Sequence, residues 1–231
     1  MPMKDSGTGS DWLEIDRFEC ETGTTGVGWI AHPDETMERA SHALSVDGDV
    51  WVFDPVEMSG LDDLLTDLGE VAGVVVLLDR HKRDAAAVAN RHDVSVFLPR
   101  FMADIADEFD APVETFDREL ADTGYAVHEI VDNFAWSEAA LYSEDDGVLV
   151  VPEAVGTTEY FLAGGERLGV HPALRLFPPK KLARFAPDRV LVGHGAGVHN
   201  GADTALDDAL SGSRSRTPAL YAKNLKLFLP G

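Results

Sequence analysis

Residues 73–84 read GVVVLLDRHKRD. Gly73 to Leu78 is apolar at every position, the pattern of a strand covered on both faces and so central to a sheet. Six polar residues follow at once, Asp79, Arg80, His81, Lys82, Arg83 and Asp84. The alanine-rich stretch Asp84 to Arg91 reads as a helix with Asp84 placed to cap it, and Val94 to Leu98 reads as another strand, ended by Pro99. Strand, helix and strand with short links make a βαβ unit, whose crossover is expected to be right-handed.

Upstream, Trp12 to Glu19 alternates as a strand, and Gly23 to Gly28 is expected to be a flexible turn. Ser41 to Val46 and Asp49 to Phe53 form a hairpin, because Asp47-Gly48 supplies the positive φ of a tight turn. Leu61, Leu64, Leu65 and Leu68 follow helical spacing, with Ser59 as the expected cap. Downstream, strands are expected over Tyr125 to Val131, Ala139 to Ser143, Gly147 to Val151 and Arg189 to Val192. Helices are expected over Ala202 to Leu210 and Leu220 to Phe228. Residues 1–231 read as a single α/β domain with residues 1–10 disordered. Two mixed sheets stacked between helices satisfy the pattern, and the hairpins disfavour a doubly wound parallel sheet.

Three strand ends collect polar residues that an ordinary loop does not need. They are Asp79 to Asp84 after GVVVLL, Pro152-Glu153-Ala154 after GVLVV, and Gly193-His194-Gly195 after RVLV. Rigid strands can aim such residues into one crevice. In the order of its segments from Ser41 to Asn200 the sequence resembles the metallo-β-lactamase fold superfamily, which implies a four-layer αββα sandwich. The superfamily's HxHxDH turn falls on Asp79, Arg80, His81, Lys82, Arg83 and Asp84, so only its second His is kept, as His81. A further His ligand is missing from Asp132 to Ser137. The bridging Asp falls at Glu153 and the final His at His194.

The resemblance implies either no cofactor or one divalent metal (Zn, Mn or Fe) on Asp79, His81, Asp84, Glu153 and His194, a mixed oxygen and nitrogen set suited to those ions. Arg83 opposes a second ion, because its guanidinium cannot deprotonate and would pair with Asp79 or Glu153 instead. Two functions follow. One is a reduced site that binds a small molecule with weak or no catalysis, and the other is a metal-dependent hydrolase of an ester, thioester or lactone. His42, Arg39 and His199 read as structural. Asp54 reads as a turn residue, although the resemblance gives a carboxylate there a supporting role, and Trp136 could fill the space of the missing ligand.

Composition limits the partners. The chain has 25 Asp and 16 Glu against 6 Lys and 13 Arg, a formal net charge of -22. No basic stripe fits a nucleic-acid backbone, and the longest apolar run is far too short to span a bilayer. Cys20 is the only cysteine, which excludes an intrachain disulfide. Acidic residues spread along the whole chain fit a cytoplasm of high salt, where screening cancels self-repulsion. The expected partner is a small-molecule ligand or substrate, not nucleic acid or membrane; the oligomeric state is left open. The melting temperature should therefore rise between about 0.1 M and about 3 M salt, as the Debye length falls from about 10 Å to below 3 Å. A flat melting curve across that range would contradict the adaptation to salt.

Overall fold

The computed structural model describes residues 2–227. Strands β1 (Leu13–Glu19), β2 (Thr25–Ile30), β3 (Ala40–Val46) and β4 (Asp49–Phe53) form an antiparallel meander. The meander turns at Asp47 and Gly48, with φ of 54° and 94° as the hairpin demands. Strands β5 (Glu70–Val75), β6 (Val96–Pro99) and β7 (Val113–Phe116) continue the sheet in parallel. A second sheet has the order β13 (Arg189–Val192), β10 (Val148–Val151), β9 (Trp136–Ser143) and β8 (Ala126–Asn133). Its β10 and β13 are parallel and its other pairs antiparallel. A short pair, β11 (Val155–Gly156) and β12 (Gly169–Val170), stands apart.

Three apolar cores divide these layers. Helices α1 (Leu61–Thr66) and α2 (Ala85–His92) cover the first sheet, and α3 (Ala202–Leu227) covers the second. The chain is thus an αββα sandwich of two mixed sheets. Successive residues of a strand face opposite ways, so Val74 and Val76 enter the core under α1 and α2 while Val75 and Leu77 enter the core between the sheets. In β10, Leu149 and Val151 face α3 while Val148 and Val150 face the first sheet. This double burial is the reason both stretches are apolar throughout.

Several local expectations change. Gly23 to Gly28 is no free turn, because Thr25–Ile30 is β2. Its glycines are there for room: a Cβ on Gly26 would lie 2.4 Å from the Phe18 ring, and one on Gly28 2.8 Å from His42. Ser59 does not cap α1; Gly60 takes that position at φ 83°, and the Ser59 N–H donates to the Gly9 carbonyl. Asp84 stands at the N-cap of α2 and its backbone carbonyl accepts the Val88 N–H, but its side chain makes no cap bond, since the carboxylate accepts the Glu57 N–H at 2.8 Å. The two C-terminal helices are one helix running through Gly212 and Pro218, with Ser213, Thr217 and Leu220 buried along it; Phe228 lies outside the described residues. Tertiary packing carries the helix past its breaker. Where disorder was expected in residues 1–10, Gly9 pairs with Met58 and Asp5 donates to Glu35. The 3-10 turn Arg100–Glu108 and strand β7 were not anticipated.

At one edge the two sheets are joined by backbone. Ala40 donates to Gly193 at 2.9 Å, Gly195 to Glu38 at 2.9 Å and Ala139 to Leu77 at 2.8 Å. Buried His42 adds a bond from Nε2 to the Val192 carbonyl at 2.8 Å. These bonds bring the C-terminal ends of β4, β5, β10 and β13 together.

Two measurements check this packing. Gly26→Val should lower unfolding free energy by about 1–3 kcal/mol through overpacking against Phe18 and Leu44, whereas Gly165→Ala, which meets nothing within 4 Å, should change it by less than about 0.5 kcal/mol. His42 titrates at about 4 instead of 6.5 because burial penalises its charged form. The unfolded chain therefore binds a proton that the folded chain refuses in that window. Its contribution is fully present above pH 6.5 and is lost as pH falls through about 4. The stability gap between wild type and His42→Gln should narrow over that range in denaturant titrations, and a gap independent of pH would count against it.

Candidate metal centre

The joined edge positions three side chains. His81 follows the extension of β5, Glu153 follows β10, and His194 follows β13 between two glycines. Both glycines are required. A Cβ on Gly193 would lie 2.4 Å from the Pro152 carbonyl and 3.0 Å from the His81 ring, and Gly195 sits at φ 89° against Thr157. The donor atoms of His81, Glu153 and His194 all lie within 4.8 Å of one another. His81 Nε2 is 3.3 Å from His194 Nε2 and 3.5 Å from Glu153 Oε2.

Both imidazoles are held from behind. His81 Nδ1 lies 3.3 Å from the Asp54 carboxylate, and His194 Nδ1 lies 2.9 Å from the Met37 carbonyl. Each acceptor assigns the proton to Nδ1, which leaves an Nε2 lone pair on each ring. The two lone pairs then face each other across 3.3 Å, an arrangement with no hydrogen to share. Protonation does not relieve it: burial drives both rings well below the ordinary imidazole range, with Arg83 adding to the effect. A cation between them does. Donors about 2.0–2.1 Å from a tetrahedral ion stand about 3.3–3.4 Å apart, close to the separations found. The two separations from His81 Nε2 therefore match those between ligands of one metal ion, and the third pair lies within 4.8 Å.

Arg83 occupies the adjoining space. Its guanidinium donates to the carbonyls of Ala40 (2.6 Å), Asp54 (2.8 Å) and Gly193 (2.9 Å). The expected pairing with the carboxylate of Asp79 or Glu153 is absent, because backbone carbonyls at the converging strand ends reach it first. Its 3.5 Å approach to His81 Nε2 is at the limit of a hydrogen bond. Burial lowers this guanidinium to about 10, a measure of how far from water it is held.

Of the six residues expected to share the crevice, His81, Glu153 and His194 converge and Arg83 lies beside them. Asp79 and Asp84 are not among the converging donors. Asp79 Oδ2 accepts the Ser137 N–H at 2.9 Å while its Oδ1 is buried without a partner among the described residues, and Asp84 accepts the N–H of Glu57. Asp54 does more than close a turn, since it is buried against His81 and burial raises it to about 6. Arg39 and His199 are structural, paired with Glu35 and Asp16.

Sequence reasoning missed Glu138 and His171. Glu138 is fully buried; its Oε1 accepts the N–H groups of Glu153 and Ala154 at 2.8 Å each, and its Oε2 accepts the Trp136 indole at 2.7 Å. Burial raises its carboxyl to about 7. His171 takes the Ala173 N–H on Nδ1, which leaves its protonated Nε2 facing Glu153 Oε1 at 3.5 Å. A Glu two residues into a strand and a His before Pro172 carry no local signal of this role. Trp136 packs edge-on to His171 at 4.8 Å and under Arg80 at 4.3 Å, forming one wall.

Among the described residues no helix is long and apolar enough to cross a membrane. No family model matches the sequence, and no curated protein matches it. Solved structures do. The DIM-1 metallo-β-lactamase aligns with a TM-score of 0.58 at 13% identity over 90% of this chain and 99% of that one. A metallo-β-lactamase from Pontibacter korlensis gives 0.58 at 15% identity over 86% and 98%. A mutant flavo-diiron protein from Thermotoga maritima gives 0.62 at 12% identity over 88% of this chain and 62% of that longer one. Identities this low speak for architecture alone, and in architecture the chain has the metallo-β-lactamase fold.

Proposed function

We propose that the crevice holds one divalent metal ion on His81, Glu153 and His194 and uses it to hydrolyse a small ester, thioester or lactone. The observation that carries this is the pair of imidazole lone pairs facing across 3.3 Å with both Nδ1 atoms committed elsewhere. When bound, such an ion supplies a Lewis acid and a water of lowered pKa. The protein's own residues do the rest. Asp54 and the Met37 carbonyl fix the ring orientations, and Glu138 fixes the backbone from which Glu153 reaches in. His171 can donate its Nε2 proton to a ligand oxygen, and Trp136 packs edge-on against its ring. Arg83 reduces the site from two ions to one, because a fixed guanidinium beside His81 repels a second cation.

A ligand-binding protein without catalysis is the second reading, and the cation of Arg83 close to His81 Nε2 favours it. Metal content separates the two. Protein purified without chelators or an affinity tag, then dialysed after loading with Zn, Mn or Fe, should retain about one equivalent. Asp54→Ala should weaken retention about 10- to 100-fold by freeing the His81 ring, and Arg83→Asp should take up more metal than wild type. Retention of under about a tenth of an equivalent by folded wild type would overturn the metal site and leave the binding protein.

A further inference from the structure

The segment ahead of β1 crosses the mouth of the crevice and is pinned on both sides of Lys4. The Pro2 carbonyl accepts from Thr36 at 2.9 Å, the Asp5 N–H donates to Glu35 at 2.9 Å, and the Asp5 carbonyl accepts from Arg39 at 2.8 Å. Glu35 is itself buried and paired with Arg39. Met3 and Lys4 thereby line a cavity of about 190 Å³ together with Arg80, Glu153, His171 and His194.

The charges there run against the rest of the chain. Arg39, Arg80 and Arg83 already have partners: Glu35, Glu153 and three carbonyls. Lys4 has none, since among the described residues it makes neither an ion pair nor a side-chain hydrogen bond. Lys4 is exposed at the mouth of this cavity, and the carboxylate that lines the cavity with it, Glu153, is already engaged by Arg80 at 3.2 Å, so the ammonium is left open to an incoming anion. Partial desolvation and then the cations of Arg83 and Arg39 lower its pKa, an effect that a bound anion would relieve.

Resting on the proposal that this crevice is a small-molecule site, we infer that its ligand carries a carboxylate or phosphate gripped by Lys4. The cavity is smaller than the 300 Å³ or so at which drug-sized pockets begin, so the molecule is a compact one.

Calorimetric titration with succinate and with inorganic phosphate tests this on the full chain, as purified and after chelation, at one fixed salt concentration. Wild type should bind one of the two at a single site. Lys4→Ala should weaken it at least about tenfold, while Lys4→Arg stays within about threefold, the loss expected of a charge-assisted bond. Lys180→Ala, on an exposed turn elsewhere, should match wild type, and unchanged melting would show that Lys4→Ala is folded. No saturable binding of either anion, or binding by Lys4→Ala equal to wild type, overturns the inference. Lys4-dependent binding by protein that retains no metal after loading would sink the metal site and keep this one; a full metal equivalent with Lys4→Ala unaffected would do the reverse.

Discussion

The guanidinium of Arg83 gathers the ends of both sheets. It donates to the carbonyl of Ala40 on β3, of Asp54 just after β4, and of Gly193 just after β13. Three carbonyls converge here; that of Gly193 also accepts the Ala40 N–H and that of Asp54 the Ser41 hydroxyl, and Arg83 gives the Ala40 carbonyl its donor, where a carbonyl left unpaired in a buried place costs about 1–3 kcal/mol. A planar cation with five donors answers that arrangement better than a lysine could, since it reaches three acceptors at once. Its own backbone is bent to do so, at φ 41°, a conformation that side chains other than glycine seldom take. The site is built on this joint, because His81 is two residues before Arg83 and His194 one residue after Gly193.

That joint also sets the electrostatics of the imidazole pair. Burial of the two rings, and then the nearby cation, makes protonation of either ring costly, so both stay neutral and both keep an Nε2 lone pair. Neutral, pre-oriented nitrogens are what a divalent ion requires, while the guanidinium 3.5 Å from His81 Nε2 repels any cation placed beside it. The carboxylates around it divide the labour: Glu153 reaches the rings, Asp54 holds one of them, and Glu138 holds the loop of Glu153.

Much of the scaffold is legible in the sequence because its cause is local. GVVVLL and GVLVV are apolar throughout since alternate residues enter different cores, and Asp47-Gly48 turns a hairpin because those two residues accept positive φ. The strand ends that carry His81, Glu153 and His194 follow from the same runs. What could not be read was decided by distant partners. Gly26 and Gly28 look like a flexible turn until the rings of Phe18 and His42 are laid over them. Asp79 and Asp84 look like ligands because a carboxylate's destination depends on which backbone N–H it meets, and those belong to Ser137 and Glu57. Glu138 and Asp54 were undervalued for the same reason, since their roles exist only once β9 and β4 lie beside the crevice.

The contrast between a strongly acidic chain and the open ammonium of Lys4 at the crevice limits how any anion can be recognised here. In dilute salt the surface charge repels an anion over a Debye length of about 10 Å, so there is no long-range steering toward the site. In concentrated salt that length contracts to about 3 Å, the scale of a single hydrogen bond, and the surface carboxylates no longer act across the crevice mouth. Buried and partly buried pairs are screened far less than exposed ones. Arg80 is paired with Glu153 there, so the charge of Lys4 is the one left for an anion to meet. High salt, the condition that makes so acidic a surface tolerable, is also the one under which selectivity for a small anion rests on contact within the cavity and owes nothing to the net charge outside it.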